Sequence, residues 1–121
     1  MKAMILSTVP LAALLAAAPA SAQFAQVNDP APGYSSLLKS DYSTAEREIR
    51  AANVSKYDPA RSINLGIALA KQGNADGASK QFNKVLFEQD VEMTVANGQA
   101  TTSHEVARRA LAALQSGMFN R

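Results

Sequence analysis

Side chains that commonly carry chemistry are sparse in this chain of 121 residues. Histidine occurs once, as His104 next to Glu105, and there is no cysteine. Adjacent residues on a helix point about 100° apart, so this pair forms neither a metal site nor a catalytic triad, both of which need several converging groups. His104 falls in the first turn of the predicted last helix, where we expect an exposed surface residue.

Glycines and serines do not supply the missing chemistry. Gly73, Gly77 and Gly98 lack the G-x-x-x-x-G-K-[ST] order of a phosphate-binding loop, and the chain has no G-x-S-x-G nucleophile elbow. The sequence therefore predicts a protein that is not an enzyme and that has no metal and no cofactor.

The segment from Met1 to Ala22 has the pattern of an export signal. Lys2 precedes an apolar, alanine-rich stretch, and Ala20-Ser21-Ala22 matches the Ala-x-Ala cleavage pattern, which predicts cleavage before Gln23. A membrane anchor is the alternative, but two prolines interrupt the apolar stretch. We expect a periplasmic or secreted protein with no stable membrane insertion after cleavage.

Charge in the exported part is nearly balanced. The whole chain carries 12 basic and 10 acidic side chains, and cleavage removes one basic residue, Lys2. No cluster of lysine and arginine is interleaved with aromatic residues, so nucleic acid is not an expected partner.

The centre of the chain, residues 59–87, predicts two antiparallel helices. Asp58 can accept hydrogen bonds from first-turn amides, and Pro59 has no N–H to leave unsatisfied there. Gly73 and Asn74 then favour a turn and a second helix cap. In the second helix, apolar residues recur with helical spacing and should face the first helix: Ala78, Phe82, Val85 and Leu86.

A glycine inside the first of these helices indicates close packing. Gly66 costs about 1 kcal/mol relative to alanine in a helix, so we expect Ala78 of the second helix to lie against it. Leu65-Gly66, Leu69, Ala78 and Phe82 stand at spacings that resemble those of the tetratricopeptide repeat (TPR), a paired-helix unit. Ser62 and Leu69 stand where that pattern often has aromatic residues.

An incomplete first repeat is predicted upstream. Ala45 precedes Ala78 by the same interval as Ile49 precedes Phe82, and this interval is close to the length of one such repeat. Asp41 is a cap for the helix that carries Ala45 and Ile49. A capping box of Ser43 and Glu46 is the alternative start.

The remaining segments complete a mainly helical domain over residues 34–116, with about four helices in TPR-like antiparallel pairs. In residues 91–101, apolar and polar residues alternate before Asn97-Gly98, a dipeptide that favours a type I′ turn, so we expect a β-hairpin there. An irregular loop is the alternative. Residues 103–115 form a closing helix, capped by Thr102 with Glu105 or by Ser103. Residues 23–33 are an expected flexible leader, and residues 117–121 are a fraying tail in which Phe119 could fold back.

The resemblance to TPR proteins implies binding of a peptide or protein partner. Asn64 matches an asparagine that contacts the ligand in some peptide-binding repeats, with Lys71 and Arg108 as accompanying basic residues. An asparagine that only packs between helices is the alternative. Because few repeats leave an apolar side open, a partner, a second copy or the chain's own last helix must cover it. A compact protein of envelope maintenance, without a peptide groove, is the alternative function.

Overall fold

The computed structural model describes residues 25–26 and 31–120. The export signal, residues 1–22, and its cleavage site before Gln23 lie outside the described residues. The predicted fold class, mainly helical with a small β-hairpin, is confirmed. The elements in chain order are β1 Ala25–Gln26, α1 Tyr34–Leu38, α2 Tyr42–Ala51, α3 Pro59–Lys71, α4 Ala75–Phe87, β2 Glu92–Val95, β3 Ala100–Thr102, α5 Ser103–Gln115 and a 3-10 helix, Met118–Asn120.

The long helices begin at the predicted caps. The Asp58 side chain accepts from the amide of Ala60 at the start of α3, and Asn74 accepts from the amide of Gly77 at the start of α4. Thr102 accepts from the amide of Glu105 and so caps α5. For α2 the cap is Asp41, and the alternative start at Ser43 is wrong.

Helix α3 is the centre of the molecule. Every residue from 62 to 70 is buried. A helix repeats every 3.6 residues, so an unbroken run of buried positions over more than two turns means that neighbours surround α3 on every side. Helices α2, α4 and α5 supply most of this cover, with contributions from β1 and the 3-10 helix. The open apolar side expected from the small number of repeats is therefore absent along this part of α3.

The glycine in α3 faces an aromatic ring. A Cβ atom added to Gly66 would lie 2.5 Å from Cε1 of Phe82, and its three nearest atoms would all belong to that ring. The prediction that Ala78 is the residue closest to Gly66 is therefore wrong. Ala78 itself is fully buried in α4, as are Ala45 and Ile49 in α2.

The hairpin forms with a different turn from the predicted one. A type I′ turn needs positive φ at both central residues, but of Asn97 and Gly98 only the glycine has it, at 92°. The amide of Gly98 donates to the carbonyl of Val95. The amide of Val95 donates to the carbonyl of Gln99. Residues 96–98 therefore form a three-residue hairpin loop, in which a tight turn is followed by a glycine in the left-handed conformation.

The described residues of the predicted flexible leader are ordered, and in the tail Phe119 folds back onto the core, the alternative that the sequence left open. Within the 23–33 leader, Ala25–Gln26 pair antiparallel with β2, and Ala31 is buried. Gly33 has a φ of 77° and lies so close to Ile49 that a side chain has no room there. In the 117–121 tail, Phe119 is buried and its ring centroid lies 6.2 Å from that of Phe82. Strand pairing with β2 positions Ala25–Gln26, and burial in the core positions Ala31 and Phe119.

We expect Gly66→Ala to lower the free energy of unfolding. Helix propensity alone predicts a gain of about 1 kcal/mol, whereas overpacking a filled core costs about 1–3 kcal/mol, and the Phe82 ring is fully buried. Urea denaturation measures the change. In a Phe82→Leu background the same substitution should cost less, because the contact is removed. A gain in stability from Gly66→Ala alone would contradict this assignment.

Candidate functional site

The asparagine of the expected ligand site has no exposed surface. Asn64 is 0% exposed in the middle of α3, and its Nδ2 donates to the carbonyl oxygen of Pro32 at 3.3 Å. This is the geometry of the packing asparagine that the sequence left as the alternative. A buried amide without such partners destabilises a fold, so Asn64 connects α3 to the segment that precedes α1. A ligand-contacting Asn64 does not agree with this geometry.

The two accompanying basic residues lie on different helices, Lys71 on α3 and Arg108 on α5. Lys71 ends α3, and its Nζ stands 5.9 Å from the ring centroid of Tyr42 on α2. Arg108 is exposed on α5. With Asn64 buried between these helices, the structure does not bring the three residues together as one site.

His104 belongs to a junction rather than to open surface. Its backbone amide donates to Oδ1 of Asp90 at 2.9 Å, and its ring Nε2 donates to the carbonyl of Glu88 at 2.6 Å. Ser103 also donates to Asp90, and its hydroxyl accepts from the amide of Val91. His104 is half-buried, so the expectation of an exposed surface histidine is met only in part. These bonds hold the chain after α4 against the first turn of α5.

Asp90 is the charged group of this junction. The hydrogen bond from the His104 amide lowers the pKa of Asp90; desolvation opposes this, and Thr102, His104 and Ser103 add smaller lowering contributions, so the pKa lies below its usual value. A carboxylate beside the first turn of α5 also interacts favourably with the helix dipole. The junction is thus stabilised by the ionised form of Asp90.

An exposed apolar surface lies at the end of the bundle where α4 finishes. Phe87 is 90% exposed and Tyr57 is 60% exposed, and Val54 in the same loop as Tyr57 is 42% exposed. We call the set Val54, Lys56, Tyr57, Lys84 and Phe87 the end surface. Burial of a phenylalanine side chain is worth about 1.5–3 kcal/mol, so the folded chain forgoes this gain at Phe87.

Two lysines fix the loop side of the end surface. The Nζ atoms of Lys56 and Lys84 stand 5.3 and 5.6 Å from the ring centroid of Tyr57. Lys84 also donates to the backbone carbonyl of Lys56, which connects α4 to the loop between α2 and α3. Phe87 lies at position i+3 from Lys84 on the same helix, so the two side chains are neighbours on its surface. The end surface combines aromatic area with positive charge.

Sequence reasoning missed these residues, although a signal was present. Successive residues of a helix are about 100° apart, which places Phe87 half a turn from Ala78, on the face of α4 that carries Lys80 and Lys84. An aromatic residue on the polar face of a helix cannot join the stripe that packs inward. The position of Phe87 on the polar face of α4 therefore predicted an exposed aromatic side chain, which the repeat pattern did not.

Comparison with known proteins supplies no relative. No family model, curated protein or solved structure matches the chain. Within residues 25–26 and 31–120, no three histidine, aspartate or glutamate side chains converge as a metal site. The same residues include no helix long and apolar enough to cross a membrane.

We expect Asp90→Asn to lower the thermal midpoint at neutral pH and to lose this effect in acid. The folded-state pKa of Asp90 is depressed, so its carboxylate stabilises the fold above the unfolded pKa of about 3.9, and this stabilisation disappears as the pH falls through the folded value. Thermal unfolding of the unchanged chain and of Asp90→Asn along a pH series measures the difference between their thermal midpoints. A constant difference at every pH would contradict the assignment.

Proposed function

We propose that this chain is an exported, non-catalytic, TPR-like module that binds a protein partner through the end surface. The observation that carries the proposal is Phe87, whose side chain is almost fully exposed in a domain that buries the phenylalanines at 82 and 119. Aromatic residues are enriched among the contact residues of protein interfaces, and an almost fully exposed phenylalanine is the residue of this surface that such a contact would bury.

Two features support the repeat-like part of the proposal. Helices α1 and α2, and then α3 and α4, are consecutive helix pairs that pack against each other in chain order. The buried pair Ala45 and Ile49 of α2 recurs as the buried pair Ala78 and Phe82 of α4, with the same spacing inside each pair. The binding surface of this proposal differs from the groove that the resemblance implies, because Asn64 is buried.

The covered α3 favours a second function, that of a compact structural protein of the envelope. In that case, the buried run from 62 to 70 serves stability alone, and the end surface has no specific partner. The crosslinking experiment below distinguishes the two functions.

A photoreactive residue at position 87 should form a discrete crosslinked product in the exported protein. Two exposed positions serve as controls for the same photoreactive residue. Position 108 is where the resemblance to the repeat places a basic ligand-binding residue, and position 47 lies on α2. We expect the product from position 87 and from neither of the others, with the partner identified by mass spectrometry. Equal, diffuse crosslinking from all three positions would contradict binding at the end surface and favour the structural function.

Phe87→Ser is the complementary change. Because Phe87 makes little contact with the fold, we expect the free energy of unfolding to change by no more than about 0.5 kcal/mol, while the crosslinked product, now generated from the exposed position 83 one helical turn before Phe87, is lost. A large loss of stability would instead mean that Phe87 has a packing role.

Export and cleavage are tested by the intact mass of the protein. We expect the mature form to begin at Gln23, with the segment from Met1 to Ala22 removed. The mass is measured on protein from the envelope fraction and from the medium, which also distinguishes the periplasm from secretion. Recovery of the uncleaved chain in membranes would support the anchor alternative.

A further inference from the structure

We infer that the partner of the end surface is a second copy of this chain, held by a twofold-symmetric contact centred on Phe87. This inference rests on the proposed function and names the partner for the same surface. It follows from the opposite charges that precede and follow Phe87 in the chain, together with the exposure of Phe87 itself.

The chain before Phe87 is basic at this end of the molecule. Lys84 lies one helical turn earlier, and its contact with the carbonyl of Lys56 brings that second lysine to the same place. Both ammonium groups lie over the ring of Tyr57. These residues form the basic half of the contact.

The chain after Phe87 is acidic. Asp90 and Glu92 are exposed, and Val91 between them is 40% exposed. The hydrogen bonds from Ser103 and His104 to Asp90 hold this segment in place at the first turn of α5. The acidic half is therefore a fixed feature of the surface rather than a loose extension of it.

In chain order, a basic half, an exposed aromatic residue and an acidic half form a pattern that a second copy in the opposite orientation complements. In a twofold contact, residue i of one copy meets residue j of the other, and j meets i. An axis near Phe87 brings Lys84 of each copy towards Glu92 of the other, and it buries both phenylalanine rings together. Offset stacking of aromatic rings adds to the gain from burial.

The same charges disfavour the other occupants. An anionic membrane attracts lysines beside exposed aromatic residues, but it repels Asp90 and Glu92 on the other half of the surface. An acidic segment of an unrelated protein satisfies only the basic half. A second copy complements both halves.

The test is a charge exchange between two versions of the exported chain. Lys84→Glu and Glu92→Lys each place like charges opposite each other in the symmetric contact, which should weaken self-association at least about tenfold. A mixture of the two variants should restore it, because both charge pairs are then opposite in sign. Sedimentation equilibrium measures the self-association, and native mass spectrometry identifies the mixed dimer.

The controls keep loss of folding apart from loss of association. Each variant is compared with the unchanged chain by thermal midpoint, and Phe87→Ser provides a second way to remove the contact without altering charge. We expect the unchanged chain to dimerise, Phe87→Ser to remain monomeric, and the mixture of charge variants to yield a heterodimer in preference to either homodimer.

Several outcomes overturn the inference. A chain that stays monomeric at all concentrations, or a mixture that does not restore association, excludes the symmetric contact. If position 87 then still crosslinks to a different protein, the proposed function stands and only the identity of the partner is wrong. Binding to anionic vesicles that Lys84→Glu weakens and Glu92→Lys strengthens would instead assign the surface to a membrane.

Discussion

The contact between the Phe82 ring and the bare backbone of Gly66 sets the distance between the two central helices. Any side chain at position 66 would overlap that ring, since an added Cβ would lie 2.5 Å from it. The same ring stacks at an interplanar angle of 19° on Phe119, which follows the last helix. One aromatic side chain therefore determines how closely α3 and α4 approach and where the end of the chain returns. Most of the remaining core is arranged around this pair.

Close packing around α3 also decides where a partner can bind. With α2, α4 and α5 against it, the helix has no open side along residues 62–70, and its asparagine is used internally. The amide of Asn64 bonds to the carbonyl of Pro32, so a polar residue that a repeat pattern would assign to a ligand instead holds the segment before α1. Among the described residues the most exposed large apolar side chain, Phe87, lies at the last turn of α4.

The junction around Asp90 and the contact of Lys84 with Lys56 shape that surface from two directions. Lys84 holds the loop that carries Tyr57, and Asp90 holds the acidic segment that follows Phe87. Each contact joins parts of the chain that are distant in sequence. As a result, Phe87 follows a basic region and precedes an acidic region in the chain. No single helix carries this separation of charge.

Local signals in the sequence determined the helices and their limits. Asp58 with Pro59, Asn74 and Thr102 are strong caps because their side chains satisfy amides that the helix leaves unpaired, and the structure uses all three. The alternation before Asn97-Gly98 likewise predicted a hairpin. The tertiary structure decided which alternatives hold, with Asn64 internal and Phe119 folded back, and it alone showed that Phe82 is the residue nearest to Gly66, that Ala31 is buried and that Phe87 is exposed. Capping and periodicity act over a few residues and can therefore be read from sequence, whereas the neighbour across a helix interface depends on the crossing of helices far apart in the chain.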